Sequence, residues 1–77
     1  MYLIYSKDYC PYCRNIKEVL EGIGQDYMEL RLNKDFSKEQ FIDKFGYGAT
    51  FPRVLKDGRI LGGCNEAVTY LRNQGLV

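Results

Sequence analysis

Two cysteines separated by two residues lie at a predicted strand-to-helix junction, and this placement limits the folds open to the chain. Cys10-Pro11-Tyr12-Cys13 follows the short apolar run from Tyr2 to Tyr5 and opens a segment with helical periodicity. Residues i and i+3 of a first helical turn face the same side, close enough for a disulfide to form. The unpaired N–H groups and partial positive charge of a helix N-terminus stabilise a thiolate. We therefore interpret the pair as a redox couple, with Cys10 as the nucleophile and Cys13 as the resolving thiol.

Hydrophobic periodicity predicts a β-α-β unit in the first half of the chain. The run from Tyr2 to Tyr5 is the first strand, and a helix extends over 11–23. Alternation of apolar and polar residues over 27–32 predicts a half-buried strand. Its apolar side consists of Met28, Leu30 and Leu32. Two strands joined by a helix imply a right-handed parallel crossover.

Capping and turn signals organise the second half. Ser37 and Gln40 form an S-x-x-Q capping box, which predicts the start of a second helix. Asp57-Gly58 predicts a two-residue hairpin turn between two short strands. The last helix is predicted to begin with Asn65 as its N-cap and to end at Gly75. The order β-α-β-α-β-β-α predicts the α/β class, with a four-stranded mixed sheet flanked by three helices.

Composition limits the classes of function. The 77 residues are predicted to form a single domain over 1–77, and the formal net charge of +1 gives no reason to expect a nucleic-acid partner. No apolar stretch approaches the roughly 20 residues that span a bilayer, so no membrane partner is expected. The N-terminus lacks the features of a signal peptide, so we expect a cytoplasmic, reducing location. There a C-x-x-C pair is more often catalytic or metal-binding than structural.

Zinc binding is the main alternative role for two such cysteines. The chain has three cysteines and no histidine, whereas a closed zinc site takes four nitrogen or sulfur ligands. No second C-x-x-C pair is present, and no carboxylates cluster near Cys10 in the sequence. The sequence therefore predicts no metal site.

Three segments, taken together, resemble the dithiol glutaredoxins over essentially the whole chain. They are Lys7-Asp8-Tyr9-Cys10-Pro11-Tyr12-Cys13, Thr50-Phe51-Pro52 and Gly62-Gly63-Cys64-Asn65-Glu66. The resemblance implies a thioredoxin fold and glutathione-dependent reduction of protein disulfides and of glutathione mixed disulfides. It implies no tightly bound cofactor, with glutathione as the reductant. The implied partners are disulfide-containing or glutathionylated proteins, among which ribonucleotide reductase is a common client of the family, and a monomer is expected.

The resemblance places part of a glutathione site on Thr50, Phe51 and Pro52. The family's proline at this position is cis and lies against the redox cysteines. Phe51 would then present its backbone N–H and C=O to the cysteinyl part of glutathione, as an added strand would. The family more often has valine at position 51, but backbone pairing does not depend on the side chain.

The start of the last helix supplies the other part of the implied site. Gly63, Cys64 and Asn65 would bind the γ-glutamyl end of glutathione, because the N-terminus of a helix offers N–H groups to a carboxylate. The family usually has aspartate where this chain has Asn65, and Glu66 is a candidate to compensate for the lost charge. Cys64 itself is interpreted as a small, partly buried side chain.

Lys7 and Tyr12 complete the site by resemblance. Lys7 would favour the thiolate or bind the glycyl carboxylate of glutathione, and Tyr12 would flank the groove. Many relatives carry a basic residue shortly before the Thr-x-Pro segment, whereas this chain has Tyr47-Gly48-Ala49. Carboxylate recognition is therefore expected to depend more on Lys7, with Arg53 or Lys34 as further candidates.

Three other functions remain open at this point. The first is a glutaredoxin-like electron donor that is reduced by thioredoxin reductase. The second is an iron–sulfur carrier, a dimer that shares a cluster between two Cys10 thiolates and two glutathiones. The third is a thioredoxin-fold interaction module without catalytic activity, which the intact Cys10-Pro11-Tyr12-Cys13 motif disfavours.

Overall fold

The computed structural model describes residues 1–77, and its seven elements follow the predicted order β-α-β-α-β-β-α. Their bounds are β1 Tyr2–Ser6, α1 Pro11–Gly22, β2 Tyr27–Arg31, α2 Lys38–Phe45, β3 Arg53–Lys56, β4 Arg59–Gly62 and α3 Cys64–Asn73. The strands form one sheet in the order β2-β1-β3-β4. Strand β1 is parallel to β2 and antiparallel to β3, and β3 is antiparallel to β4, so the sheet is mixed as predicted. None of the helices combines the length and the apolar character that crossing a membrane would require.

The hydrophobic core lies between one face of the sheet and the helices α1 and α3. Alternate residues of β1, Tyr2 and Ile4, point to this face and are buried. Helix α1 packs Ile16 and Leu20 against them, and α3 contributes Leu71. Burial of these side chains is the main force that holds both helices against the sheet, and it thereby fixes where each helix begins.

Aromatic side chains cover the opposite face. Tyr5 of β1 contacts Phe36 and Phe45, with ring centroids 5.1 and 4.9 Å apart, respectively. Phe41 of α2 stacks on Phe51 at 4.2 Å. Edge-to-face and offset-stacked pairs of this kind add to the free energy gained by burial. The aromatic cluster therefore ties α2 to the segment that precedes β3.

The predicted cap and hairpin turn are confirmed. Gln40 N donates to Ser37 Oγ at 3.1 Å, and Ser37 N donates to Gln40 Oε1 at 2.8 Å, which completes the capping box of α2. Asp57 and Gly58 form the turn between β3 and β4, with φ values of 51° and 84°. Positive φ at both central residues is what a type I′ hairpin turn requires.

The predicted apolar side of β2 is wrong at Met28, which is 51% exposed. The parallel register pairs Tyr2 with Tyr27 and Ile4 with Glu29, so it places Tyr27 and Glu29 on the face that carries α1 and α3. Met28 lies on the other face of an edge strand, which the eight-residue helix α2 does not fully cover. Sheet register, which alternation alone does not reveal, decides which side of the strand is buried.

The predicted N-cap of α3 is also wrong. Gly63 is the N-cap, the helix begins at Cys64, and Asn65 is an exposed residue of its first turn. Gly63 N donates to Glu66 Oε1 at 2.7 Å, which satisfies the backbone at the helix start through the residue three positions on. This bond replaces the side-chain cap expected from Asn65.

Leu71→Ala should lower the free energy of unfolding by about 3 kcal/mol, because it removes a buried side chain and leaves a cavity. Leu71 is 0% exposed, whereas Leu76 near the C-terminus is 46% exposed and provides a matched control. Leu76→Ala should cost less than about 1 kcal/mol. Urea unfolding monitored by circular dichroism measures both values. Equal losses in the two variants would contradict the assignment of the core to the α1–α3 face.

Candidate active site

The redox cysteines lie at the start of α1, just beyond the end of the inner strand β1. Cys10 is the N-cap of the helix and has extended backbone angles, φ −117° and ψ 101°. Pro11 occupies the first helical position, where its missing N–H costs no hydrogen bond. Cys13 N donates to Cys10 Sγ at 3.2 Å, so the sulfur takes the place of a capping oxygen.

A disulfide joins Cys10 to Cys13, with their Cα atoms 5.2 Å apart. The two sulfurs differ in accessibility. Cys13 is 2% exposed, whereas Cys10 is partly exposed at the surface. An incoming thiolate therefore reaches the Cys10 sulfur first, as expected for the nucleophile of the pair. No group of three or more side chains of the metal-ligating types is present around the cysteines or elsewhere in the chain.

An open groove of about 360 Å³ lies on the β3 side of β1 and reaches Tyr12, which stands between the two cysteines in the sequence. Its walls are the segment before β3, the start of α3 and one side chain of α1. The lining residues are Tyr12, Thr50, Phe51, Pro52, Arg53, Gly63, Cys64, Asn65 and Glu66. Seven of the eight residues predicted to bind glutathione are therefore brought together, and only Lys7 lies elsewhere.

The segment before β3 turns through a cis peptide bond between Phe51 and Pro52. Phe51 stacks its side chain on Phe41 in the aromatic cluster and is partly buried. The backbone N–H and C=O of Phe51 have no hydrogen-bond partner within the chain. These free groups line the groove and are available to pair with an extended ligand.

The opposite wall depends on two glycines. Gly62 has φ of 121°, a conformation that residues with a side chain rarely adopt. A Cβ atom on Gly63 would lie 3.1 Å from Glu66 Oε1 and 3.5 Å from Pro52 O, so it would narrow the groove. The N–H groups of Cys64 and Asn65 make no hydrogen bond within the chain. Together with the helix dipole they form an anion-binding surface.

Arg53 is the basic residue that the structure places in the groove. Its Nε donates to the carbonyl oxygen of Thr50 at 2.8 Å, and its Nη2 donates to Thr50 Oγ1 at 3.1 Å. Lys34, the other candidate from the sequence, lies at the β2–α2 connection and does not line the groove. Glu66 also lines the groove, where its carboxylate is the only acidic group.

Lys7 does not line the groove itself but contacts one of its lining residues. Its ammonium lies 5.5 Å from the centre of the Phe51 ring, a cation–π contact, and its side chain lines a second pocket that contains Cys10. Lys7 thus lies between the reactive sulfur and the Phe51 ring, where both roles predicted for it, at the thiolate or at the glycyl carboxylate of glutathione, stay predictions.

Cys64 is a free, buried cysteine. Burial raises the pKa of its thiol, and the nearby Glu66 carboxylate raises it further. A protonated thiol in this position is a poor nucleophile, so Cys64 serves as a small side chain at the base of the groove.

A network of polar and charged side chains joins the end of β1 to β2 and α1. Glu29 accepts hydrogen bonds from Ser6 Oγ at 2.5 Å and from Lys17 Nζ at 3.0 Å. Burial opposes ionisation of Glu29, but these two bonds outweigh it and the pKa of Glu29 is lowered. Sequence periodicity did not reveal this network, because Glu29 appears there as the polar side of a surface strand.

Residues 3–61 match the sequence model of the glutaredoxin family. The chain belongs to the glutaredoxin family. It is 32% identical over 73 residues to glutaredoxin 3 of Escherichia coli K12, covering 95% of this chain and 88% of that protein. It is 34% identical over 76 residues to a glutaredoxin of Ricinus communis, covering 95% and 74%. The C-x-x-C pair and the family together make the protein a thiol–disulfide oxidoreductase of the dithiol glutaredoxin type.

Structural comparison confirms the thioredoxin fold. A buckwheat glutaredoxin, solved as a glutathione complex, superposes with a TM-score of 0.80 at 25% identity, covering 97% of this chain and 71% of that one. Reduced Escherichia coli glutaredoxin gives a TM-score of 0.81 at 19% identity, covering 99% and 98%. The sheet order and the three helices are thus those of other glutaredoxins.

Glu29→Gln should lower the free energy of unfolding at pH 7 by about 1–2 kcal/mol, because Lys17 and Ser6 lose a charged acceptor. The pKa of Glu29 is lower in the folded chain than in the unfolded chain, so stability rises with pH between the two values. The contribution is complete above the unfolded value and is lost as the pH falls through the folded one. The difference between wild type and variant should therefore shrink near pH 3.

Urea unfolding at pH 7 and pH 3 measures this difference. Glu18→Gln is the matched control, since Glu18 is an exposed residue of α1 and its side chain forms no ion pair. If the free energy of unfolding lost in Glu29→Gln does not change with pH, the network stabilises the fold by packing and not by charge.

Proposed function

We propose that this glutaredoxin reduces glutathione mixed disulfides and protein disulfides at the expense of glutathione, with Cys10 as the nucleophile. The observation that carries the proposal is the groove itself. It brings together the two sets of free backbone groups that a γ-glutamyl tripeptide needs, at Phe51 and at the start of α3, and Tyr12 of the Cys10-Pro11-Tyr12-Cys13 motif lines it as well. The buckwheat relative, solved with glutathione, supports the same ligand for this chain.

Binding in the groove follows from its chemistry. The cysteinyl part of glutathione would pair with the N–H and C=O of Phe51 and bring its sulfur to Cys10. The γ-glutamyl carboxylate would accept from the N–H groups of Cys64 and Asn65, while its ammonium would lie near Glu66. Arg53 in the groove and Lys7 beside the Phe51 ring would be the cations available to the glycyl carboxylate.

Reduced Cys10 reacts as a thiolate. The Cys13 N–H, which points at the Cys10 sulfur, and the positive end of α1 both stabilise negative charge on it. The stabilised thiolate is also a good leaving group, which speeds its release from mixed disulfides. The N-terminus of α1 therefore assists both the attack by the Cys10 thiolate and its later release as a leaving group.

Two routes both begin with attack of the Cys10 thiolate on a disulfide, but on different sulfurs. With a glutathionylated protein, the Cys10 thiolate attacks the glutathione sulfur, and the protein leaves as a thiolate that takes a proton from water. A glutathione thiolate then attacks glutathionylated Cys10 and releases glutathione disulfide. With a protein disulfide, the Cys10 thiolate attacks one protein sulfur, breaks the S–S bond and releases the other protein sulfur as a thiolate that takes a proton from water. The Cys13 thiolate then displaces the sulfur held by Cys10, which leaves and is protonated in the same way, as the Cys10–Cys13 bond closes. Two glutathiones reopen this bond and leave as glutathione disulfide.

Replacement of each cysteine should separate the two routes. Cys10→Ser should abolish both, since the reactive sulfur is gone. Cys13→Ser should retain reduction of a small glutathione mixed disulfide but slow reduction of a protein disulfide by at least about tenfold, because the mixed disulfide at Cys10 must then await an external thiol. NADPH consumption with glutathione and glutathione reductase measures both rates.

Equal loss of both activities in Cys13→Ser would contradict this division of roles. Absence of activity in the wild type, with a Cys10–Cys13 disulfide that still closes, would contradict glutathione dependence. It would direct the same assay to thioredoxin reductase as electron source.

Gly63→Ala should raise the KM for a glutathione mixed disulfide by about fivefold, as expected for the loss of roughly one hydrogen bond in the narrowed groove. Gly22→Ala is the control, because a Cβ atom there meets nothing within 4 Å and φ is not positive. Both variants should unfold close to wild type in urea. An unchanged KM in Gly63→Ala would mean that glutathione does not use this wall.

A further inference from the structure

The backbone groups of Phe51 receive little support from the main chain. After the bond from Ala49 N to Gly46 O at 3.2 Å, no backbone–backbone hydrogen bond forms until β3 begins at Arg53. The Phe51 ring is fixed by its stack on Phe41, but it joins the backbone through rotatable bonds and does not set the direction of the peptide groups beside it. Some other contact must therefore align the N–H and C=O of Phe51.

The side chain of Arg53 supplies that contact. The backbone of Arg53 pairs with Tyr5 of the internal strand β1, so the side chain starts from a fixed position. It folds back to Thr50, where Nε donates to the carbonyl oxygen at 2.8 Å and Nη2 donates to Oγ1 at 3.1 Å. We call this pair of bonds the Arg53–Thr50 clamp. Two bonds from one planar guanidinium fix the orientation of their acceptors as well as their distance.

The clamp depends on the shape of the guanidinium and not on its charge alone. Arg53 forms no ion pair, although the carboxylate of Glu66 lines the same groove. A Cβ atom on Gly63 would lie 3.9 Å from Arg53 Nη2, so the guanidinium also extends to the opposite wall. A lysine at this position would carry the same charge on a single nitrogen and would lack the planar fork.

We propose that Arg53 is a positioning residue that aligns the backbone of Phe51 through Thr50, an inference that rests on the proposed function. The carbonyl of Thr50 and the N–H of Phe51 belong to the same peptide group. Because a peptide group is planar, a hydrogen bond that fixes its carbonyl also fixes the direction of its N–H. The bond from Arg53 Nε therefore determines where the Phe51 N–H points.

Glutathione would use this alignment at its cysteinyl part. That part would pair with the N–H and C=O of Phe51, and hydrogen bonds weaken steeply when their groups are misaligned. A turned peptide group would weaken the pairing and move the glutathione sulfur away from Cys10. The guanidinium has further N–H donors beyond the two that Thr50 accepts, so contact with the glycyl carboxylate would not break the clamp.

Two mixed disulfides of cysteamine, one with glutathione and one with its glycyl ethyl ester, separate alignment from binding of the carboxylate. Arg53→Lys keeps the charge but loses the fork, so kcat/KM should fall about fivefold, as for the loss of roughly one hydrogen bond. The fall should agree within about twofold for the two substrates, since the ester lacks only the glycyl charge. NADPH consumption with glutathione and glutathione reductase measures the rates.

Thr50→Val tests the clamp from its other end. It removes Oγ1 but keeps the carbonyl oxygen and the branched shape of the side chain, so kcat/KM should fall about threefold. Both substitutions break one clamp, so Arg53→Lys/Thr50→Val should stay within about twofold of Arg53→Lys and not reach the roughly fifteenfold product of the single losses. Thr50 is exposed, so Thr50→Val should unfold close to wild type in urea.

Arg59→Lys is the matched control, because Arg59 is an exposed arginine at the start of β4 that does not line the groove. Its kcat/KM should equal that of wild type. A loss in Arg53→Lys that disappears with the ester would make Arg53 a carboxylate ligand and overturn the inference. Losses that multiply in the double variant, or wild-type rates in Arg53→Lys, would overturn it as well. No turnover of either substrate by wild type would instead refute the proposed function, and this inference with it.

Discussion

The hydrogen bond from Cys13 N to Cys10 Sγ, at 3.2 Å, is the interaction on which the rest of the site depends. A helix that begins at Pro11 needs an acceptor at its N-cap, and here that acceptor is the reactive sulfur. A thiolate accepts this bond more strongly than a disulfide sulfur, so the helix start is best capped when Cys10 is reduced. Folding of α1 and the reactivity of Cys10 are therefore set by the same few backbone groups.

Sheet topology gives Cys10 two different neighbourhoods. Strand β1 is internal, with β2 on one side and β3 on the other, and it delivers Cys10 to the edge between them. Toward β3 lies the groove that Tyr12 lines, with the free backbone groups of Phe51 and of the start of α3. Toward β2 lies a small pocket lined by Cys10 and by basic side chains, among them Lys17 and Arg31. A substrate joined to Cys10 thus meets backbone on one flank and charge on the other.

Local signals predicted most of the fold, because the forces behind them act over a few residues. The Ser37–Gln40 capping box and the Asp57-Gly58 turn need only their own segment, and both are confirmed. The position of Met28 and the cap of α3 depended on sheet register and on the Gly63–Glu66 bond, which residue pattern does not encode. The contact between Lys7 and the Phe51 ring likewise depends on the pairing of β1 with β3, which the sequence does not reveal.

A residue that differs from the usual glutaredoxin sequence affects glutathione binding only where the ligand contacts that side chain and not the backbone. In the proposed mechanism glutathione is held mainly by N–H and C=O groups, which are the same whatever side chain occupies positions 51 and 65. Phe51 therefore keeps the pairing edge while its ring joins the aromatic cluster, and Asn65 keeps its N–H at the start of α3. Binding of the reductant in this mode is therefore expected to tolerate substitution at both positions.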